Sequence, residues 1–141
     1  MELNALEIWN TIDHDSDEKS LDDFFDAGGD LYFEHPSNGW TFLHLACDLG
    51  NERLIRLLID RGFDLNFVSS SGYPAIFQAL DLDLDSALQR ETLPDFKWVT
   101  FLVEHGAHLD SLRRDGISLR AYCSIEYIEP FAIAFDRVFK K

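Results

Sequence analysis

A chain of 141 residues with 26 acidic against 12 basic side chains carries a formal charge of −14, and its length is that of one domain. An apolar content of 46 % with 12 Phe, 3 Trp and 4 Tyr can fill a core and excludes a disordered chain, while the charge excludes a nucleic-acid binder, which needs a basic patch. Two cysteines without metal-ligand spacing, a start that lacks a basic region with an apolar run behind it, and no stretch near the ~20 apolar residues of a membrane span predict a soluble cytoplasmic protein without a secretory leader.

In chain order, Leu3 to Ile12 predicts a first helix and the acidic run Asp13 to Glu18 its exit. The stretch Leu21-Asp22-Asp23-Phe24-Phe25-Asp26-Ala27-Gly28-Gly29 reads as a second helix with a glycine stop. Next, Asn38-Gly39-Trp40-Thr41-Phe42-Leu43-His44-Leu45-Ala46-Cys47 predicts a turn and a short helix, followed by a break at Gly50. Leu54 to Ile59 is then a helix stopped by Gly62-Phe63-Asp64-Leu65-Asn66. Apolar residues at 42, 43, 45 and 46 and at 54, 55, 57 and 58 give each helix a buried stripe. Neither helix is long enough to stand alone, so each needs neighbours.

A third pair follows in Gly72-Tyr73-Pro74-Ala75-Ile76-Phe77-Gln78-Ala79 and in Trp98 to Val103 with its stop at Gly106. Between Gly72 and Gly106 lie 34 steps, against 23 from Gly39 to Gly62, which leaves 11 extra residues around Asp81–Asp95. That insert is expected as a solvated acidic loop. A last unit opens at Asp115-Gly116-Ile117-Ser118-Leu119, and Ser124 to Phe139 predicts a closing helix with Pro130 near its first turn.

These runs resemble ankyrin repeats. The family pattern T-P-L-H-x-A reads here as Thr41-Phe42-Leu43-His44-Leu45-Ala46, and Gly39 to Gly72 is the family's period of 33 residues. The resemblance implies an all-α solenoid of about four stacked helix–turn–helix units, spanning 1–35, 36–68, 69–112 with the insert near 81–95, and 113–141. The outer two units are atypical, as caps of a stacked array are.

Candidate chemistry is thin. Asp81, Asp83 and Asp85 have the 1-3-5 spacing that opens a calcium loop, but Ser86 and Thr92 stand where its glycine and its bidentate glutamate belong. His105 and His108 flank a glycine turn with no third ligand near in sequence. The resemblance gives His44 and Thr41 a structural role, hydrogen bonding within and between turns, and gives Cys47 and Cys123 positions for small residues between helices. Trp9 and Trp98 are expected in the core. No metal, cofactor or catalytic site is expected.

The resemblance also implies function: in the family the turn tips and first helices form a curved face that binds other proteins. The usual contact positions fall on Ser37, Asn38, Trp40, Asp48 and Leu49, then on Ser70, Ser71, Tyr73, Asp81 and Leu82. The last unit adds Arg114, Asp115, Ile117, Ile125 and Glu126. Trp40 and Tyr73 among carboxylates have the composition of anchors inside an acidic rim. Residues 1–35 hold 11 acids and one base, residues 111–141 four acids and six bases, so the molecule has a negative end able to steer a basic partner. The expected function is a monomeric, non-enzymatic binding module that inhibits a basic protein. An acidic ankyrin protein this small resembles the immunity proteins that bacteria pair with toxins, nucleases in particular. The alternatives are an adaptor without inhibitory role and a metal-dependent enzyme built on Asp83 and Asp85.

Overall fold

The computed structural model describes residues 4–140. Within them the helices are α1 (Ala5–Thr11), α2 (Lys19–Asp26), α3 (Phe42–Leu49), α4 (Glu52–Asp60), α5 (Ile76–Arg90), α6 (Lys97–Glu104), α7 (Leu119–Tyr122) and α8 (Glu129–Phe139), with a π-helical turn at Cys123–Tyr127. Among the described residues there is no strand, only one isolated bridge from Leu112 to Ser118, so the fold is all-α as expected. Leu3, expected to open α1, lies outside the described residues.

Helices pack in consecutive pairs, α1 on α2, α3 on α4 and α5 on α6, with α7 and the π turn against α8, and α3 meets α5 across the stack. One continuous core runs through the pairs from Ile8 to Phe135. Its fully buried members, among them Phe42, Leu43, Leu54, Leu58, Leu80, Leu84 and Leu119, are the apolar stripes of helices too short to persist alone.

Caps set the helix starts. Thr41 Oγ1 accepts from the His44 N–H at 3.3 Å, and His44 Nδ1 accepts from the Thr41 N–H at 3.2 Å, a reciprocal capping box at the start of α3. His44 Nε2 reaches the Tyr73 carbonyl at 2.8 Å, which ties one turn to the next. Since a carbonyl only accepts, Nε2 carries the proton, and burial holds the ring's pKa below its ordinary value. Asn51 caps α4 by accepting from the Leu54 N–H, and its amide donates to the Asp13 and Ser16 carbonyls, pinning the acidic exit of α1. Gly39 has φ +75°, and a Cβ there would stand 2.7 Å from the Ser71 amide nitrogen, so glycine lets successive turn tips touch.

Three expectations need correction. The insert is not a loop: α5 runs 15 residues to Arg90 where α3 runs eight, so most of the extra chain lengthens the first helix. Only residues 91–96 connect α5 to α6. Leu80, Leu84 and Ala87 face the core, as does Asp83. The reason lies at α6, whose N-cap Phe96 has no hydrogen-bonding side chain. Asp83 supplies the missing acceptor, taking the Trp98 N–H at 3.2 Å and the Val99 N–H at 3.0 Å. The closing helix also differs. Chain from Leu119 forms α7 and a π turn, breaks at extended Ile128, and restarts as α8 with Pro130 in its first turn. Proline has no N–H to donate back to an earlier carbonyl, so one helix cannot run through it. Trp98, expected in the core, is half-buried, with Lys97 Nζ 4.9 Å above its ring.

Asp83 makes stability depend on pH in a known direction. Burial pushes its carboxyl up to about 6 from 3.8, outweighing the Val99 and Trp98 amides that lower it. The folded state then holds the proton more tightly than the unfolded chain. The contribution is full below pH 4 and is lost as pH rises towards 6. Asp83→Asn keeps an acceptor without the charge, so the wild-type-minus-variant stability should fall over that window in urea titrations. Asp83→Ala, which orphans two amides, should cost about 1–3 kcal/mol below pH 4, where the wild-type contribution is full, and less as pH rises towards 6.

Candidate protein-binding face

Thirty-three residues apart, Trp40 and Tyr73 occupy equivalent places in successive turns, and the fold joins them. Trp40 Nε1 donates to Tyr73 Oη at 3.0 Å, Tyr73 Oη donates to Gln78 Oε1 at 2.8 Å, and Gln78 Nε2 donates to Asp48 Oδ1 at 3.2 Å. The chain of bonds crosses from α3 to α5 and ends on a carboxylate, each member fixing the next. Both aromatic residues are half-buried. They form one ordered pair rather than two separate exposed anchors.

Next to this pair lies a second hydrogen-bonded cluster. Asp81 Oδ1 accepts from Tyr122 Oη at 2.8 Å and from Tyr127 Oη at 2.7 Å. Burial, and then these bonds to the Asp81 carboxylate, push both phenols above their ordinary range. Arg113 lies over the Tyr122 ring at 6.0 Å and pairs with Asp115 at 2.8 Å. Asp48 is raised above the usual carboxylate range, first by burial and then by the charges of Asp81 and Asp85, so three carboxylates feel one another on this face.

The expected contact residues separate into groups. Trp40, Asp48, Tyr73 and Asp81 come together in the two networks, with Glu126 close enough to act on Tyr122. Leu82 is half-buried and packs 3.1 Å from where a Gly50 Cβ would stand, so it serves the repeat stack. Leu49 and Ile117 are also half-buried. Arg114 docks on the preceding turn tip, its N–H donating to the Gly72 carbonyl at 2.7 Å and its guanidinium to that of Ser69 at 3.3 Å. Ile125 stands apart on the π turn, 60 % exposed. Gln78, Asp85, Tyr122 and Tyr127 were not expected on this face. Gln78 reads from sequence as an ordinary polar helix residue, and the tyrosines lie on a turn whose π geometry no local pattern encodes.

Asp81, Asp83 and Asp85 do not converge. Asp81 is held by the tyrosines, Asp83 turns into the α5–α6 junction, and exposed Asp85 bonds Gln89 at 2.8 Å. The His105 ring is engaged by the Phe101 carbonyl at 2.8 Å. Cys47 and Cys123 are buried, and burial pushes the Cys123 thiol up to about 12, which keeps it a small apolar filler.

Residues 13–113 match a family model described as ankyrin repeats, in three copies. No curated protein matches the chain.

Proposed function

The chain belongs to the ankyrin-repeat family, a family of protein–protein interaction modules, and from that premise we propose that its acidic curved face binds and blocks a protein with a basic surface. The observation that carries this reading is the Trp40–Tyr73–Gln78–Asp48 chain of hydrogen bonds flanked by Asp81 and Asp85. Aromatic side chains already fixed in place lose little freedom on binding, which is what an anchor needs. The carboxylates around them attract cations from a distance and penalise an acidic competitor. No such arrangement is required by the stack itself, since the His44 bridge and the core already join these units.

A blocking role follows from charge. A protein that acts on nucleic acid presents a positive cleft, and an acidic face of fixed geometry competes for it as the phosphate backbone does. An immunity protein neutralising a nuclease-type toxin is the most specific form of this proposal.

The test uses the partner captured from the native host. Asp48→Lys and Asp85→Lys should slow association about tenfold or more at low salt, and the gap to wild type should close as salt screens the charges. Rates unchanged by both reversals at every salt concentration would remove the basic partner. A partner that keeps its full activity in the complex would make the protein an adaptor instead.

A further inference from the structure

Lengthening α5 creates a surface that a 33-residue repeat lacks. At the far end of that helix lies an open groove of about 420 Å³. Its floor is Ala87 and Phe131, both buried. Its walls are Leu88, Leu93 and Ile128, which are 50 %, 55 % and 43 % exposed. Scattered surface aliphatics need no explanation; these three stand together around one concavity. The groove is shallow and open, which suits a side chain of another protein better than an enclosed small molecule.

Two features show which partner fits. The first is charge: Glu91 is the charged residue lining the groove, and exposed Asp85, Glu126 and Glu129 lie beside it in sequence on α5, the π turn and α8. The neighbouring bases Arg90 and Lys97 line an adjoining polar cleft, where they face Asp83 and Asp95 across walls that share Ala87, Thr92 and Leu93 with the groove. Arg120 is taken up by Asp136 at 2.9 Å, with Glu129 at 3.8 Å. Glu91 itself caps α5 at φ +56°, a conformation that glycine or asparagine adopts more readily, yet it places a carboxylate at the groove. The second is continuity with the binding face. Asp81, Asp85 and Leu88 stand at i, i+4 and i+7, one stripe of α5 about 10 Å long. Tyr127, which holds Asp81, is followed directly by the groove wall Ile128.

We propose that this groove receives a large apolar side chain from a basic segment of the partner, placed within about 10 Å of a cation that meets Asp81 and Asp85. An extended segment covers that span in about three residues, so the motif recognised is a Lys or Arg followed closely by a Leu or Phe. The inference rests on the basic-partner reading and assigns the insert its purpose within it.

Two short synthetic peptides of equal charge, one amphipathic Lys/Leu and one Lys/Ser, probe it on methyl-labelled protein. The Lys/Leu peptide should shift the Leu88, Leu93 and Ile128 methyl signals and bind about tenfold or more tightly than Lys/Ser. Leu88→Ser/Leu93→Ser should bring the two peptides to equal affinity with the unfolding curve unchanged. Asp48→Lys, on α3 and outside the groove lining, separates the two claims. If it weakens both peptides while Leu88→Ser/Leu93→Ser changes neither, the groove is overturned and the basic-partner reading stands. If Asp48→Lys changes neither peptide, the basic-partner reading itself is lost. A wild-type dimer in sedimentation that Leu88→Ser/Leu93→Ser disperses would give the groove to a second copy and overturn the inference.

Discussion

Leu58→Ala is expected to lower the free energy of unfolding by about 2–5 kcal/mol, the range for emptying a buried leucine site. Leu58 lies on α4 with no exposed surface, in the core cluster that also holds Leu43, Leu54 and Ile55. Each helix pair touches only its neighbours, so the cavity weakens a local interface that no distant contact can replace. Against a total stability of about 5–15 kcal/mol for a domain, the loss is large. Urea titration should show a lower midpoint at nearly constant slope. A loss below about 1 kcal/mol would mean that the α4 stripe does not pack as described.

The second large effect concerns binding. Trp40→Ala or Tyr73→Ala should raise the dissociation rate of the partner complex and cost about 2 kcal/mol or more in affinity, as central anchors do. Because Trp40 donates to Tyr73 and Tyr73 to Gln78, the two losses should not add: the double variant should lose less than the sum. Tyr73→Phe isolates the network, since it keeps the ring and removes only the hydroxyl. It should cost about 0.5–1.5 kcal/mol. Circular dichroism and thermal unfolding of each variant separate lost binding from lost fold.

Sequence spacing carried much of the fold because stacked units repeat their constraints. Gly39 and Gly72 recur at 33 residues, and the Thr41–His44 pair announces a cap that the structure then uses twice, once within α3 and once to reach Tyr73. The helical fold of the insert is hidden in its sequence for a physical reason. Leu80-Asp81-Leu82-Asp83-Leu84-Asp85 alternates with period two, which hides the helical stripe of Phe77, Leu80, Leu84 and Ala87 that α5 buries. Asp83 looks like another surface acid, and only the uncapped start of α6, fifteen residues on, explains its burial. On the binding face, the equivalence of Trp40 and Tyr73 was legible from their register. Their bond was not, nor was the Tyr122–Asp81–Tyr127 cluster, because each depends on how neighbouring units are rotated against one another.

The central claim is that a basic partner sits on the curved face ordered by Trp40, Tyr73 and the Asp48, Asp81 and Asp85 carboxylates. Hydrogen–deuterium exchange on the complex with the host partner tests it most directly. Protection should appear over residues 38–49, 70–85 and 113–128 and be largely absent from residues 13–30. Protection confined to the acidic residues 13–30, with no change at Trp40 or Tyr73, would place the partner on the negative end of the molecule and contradict the account.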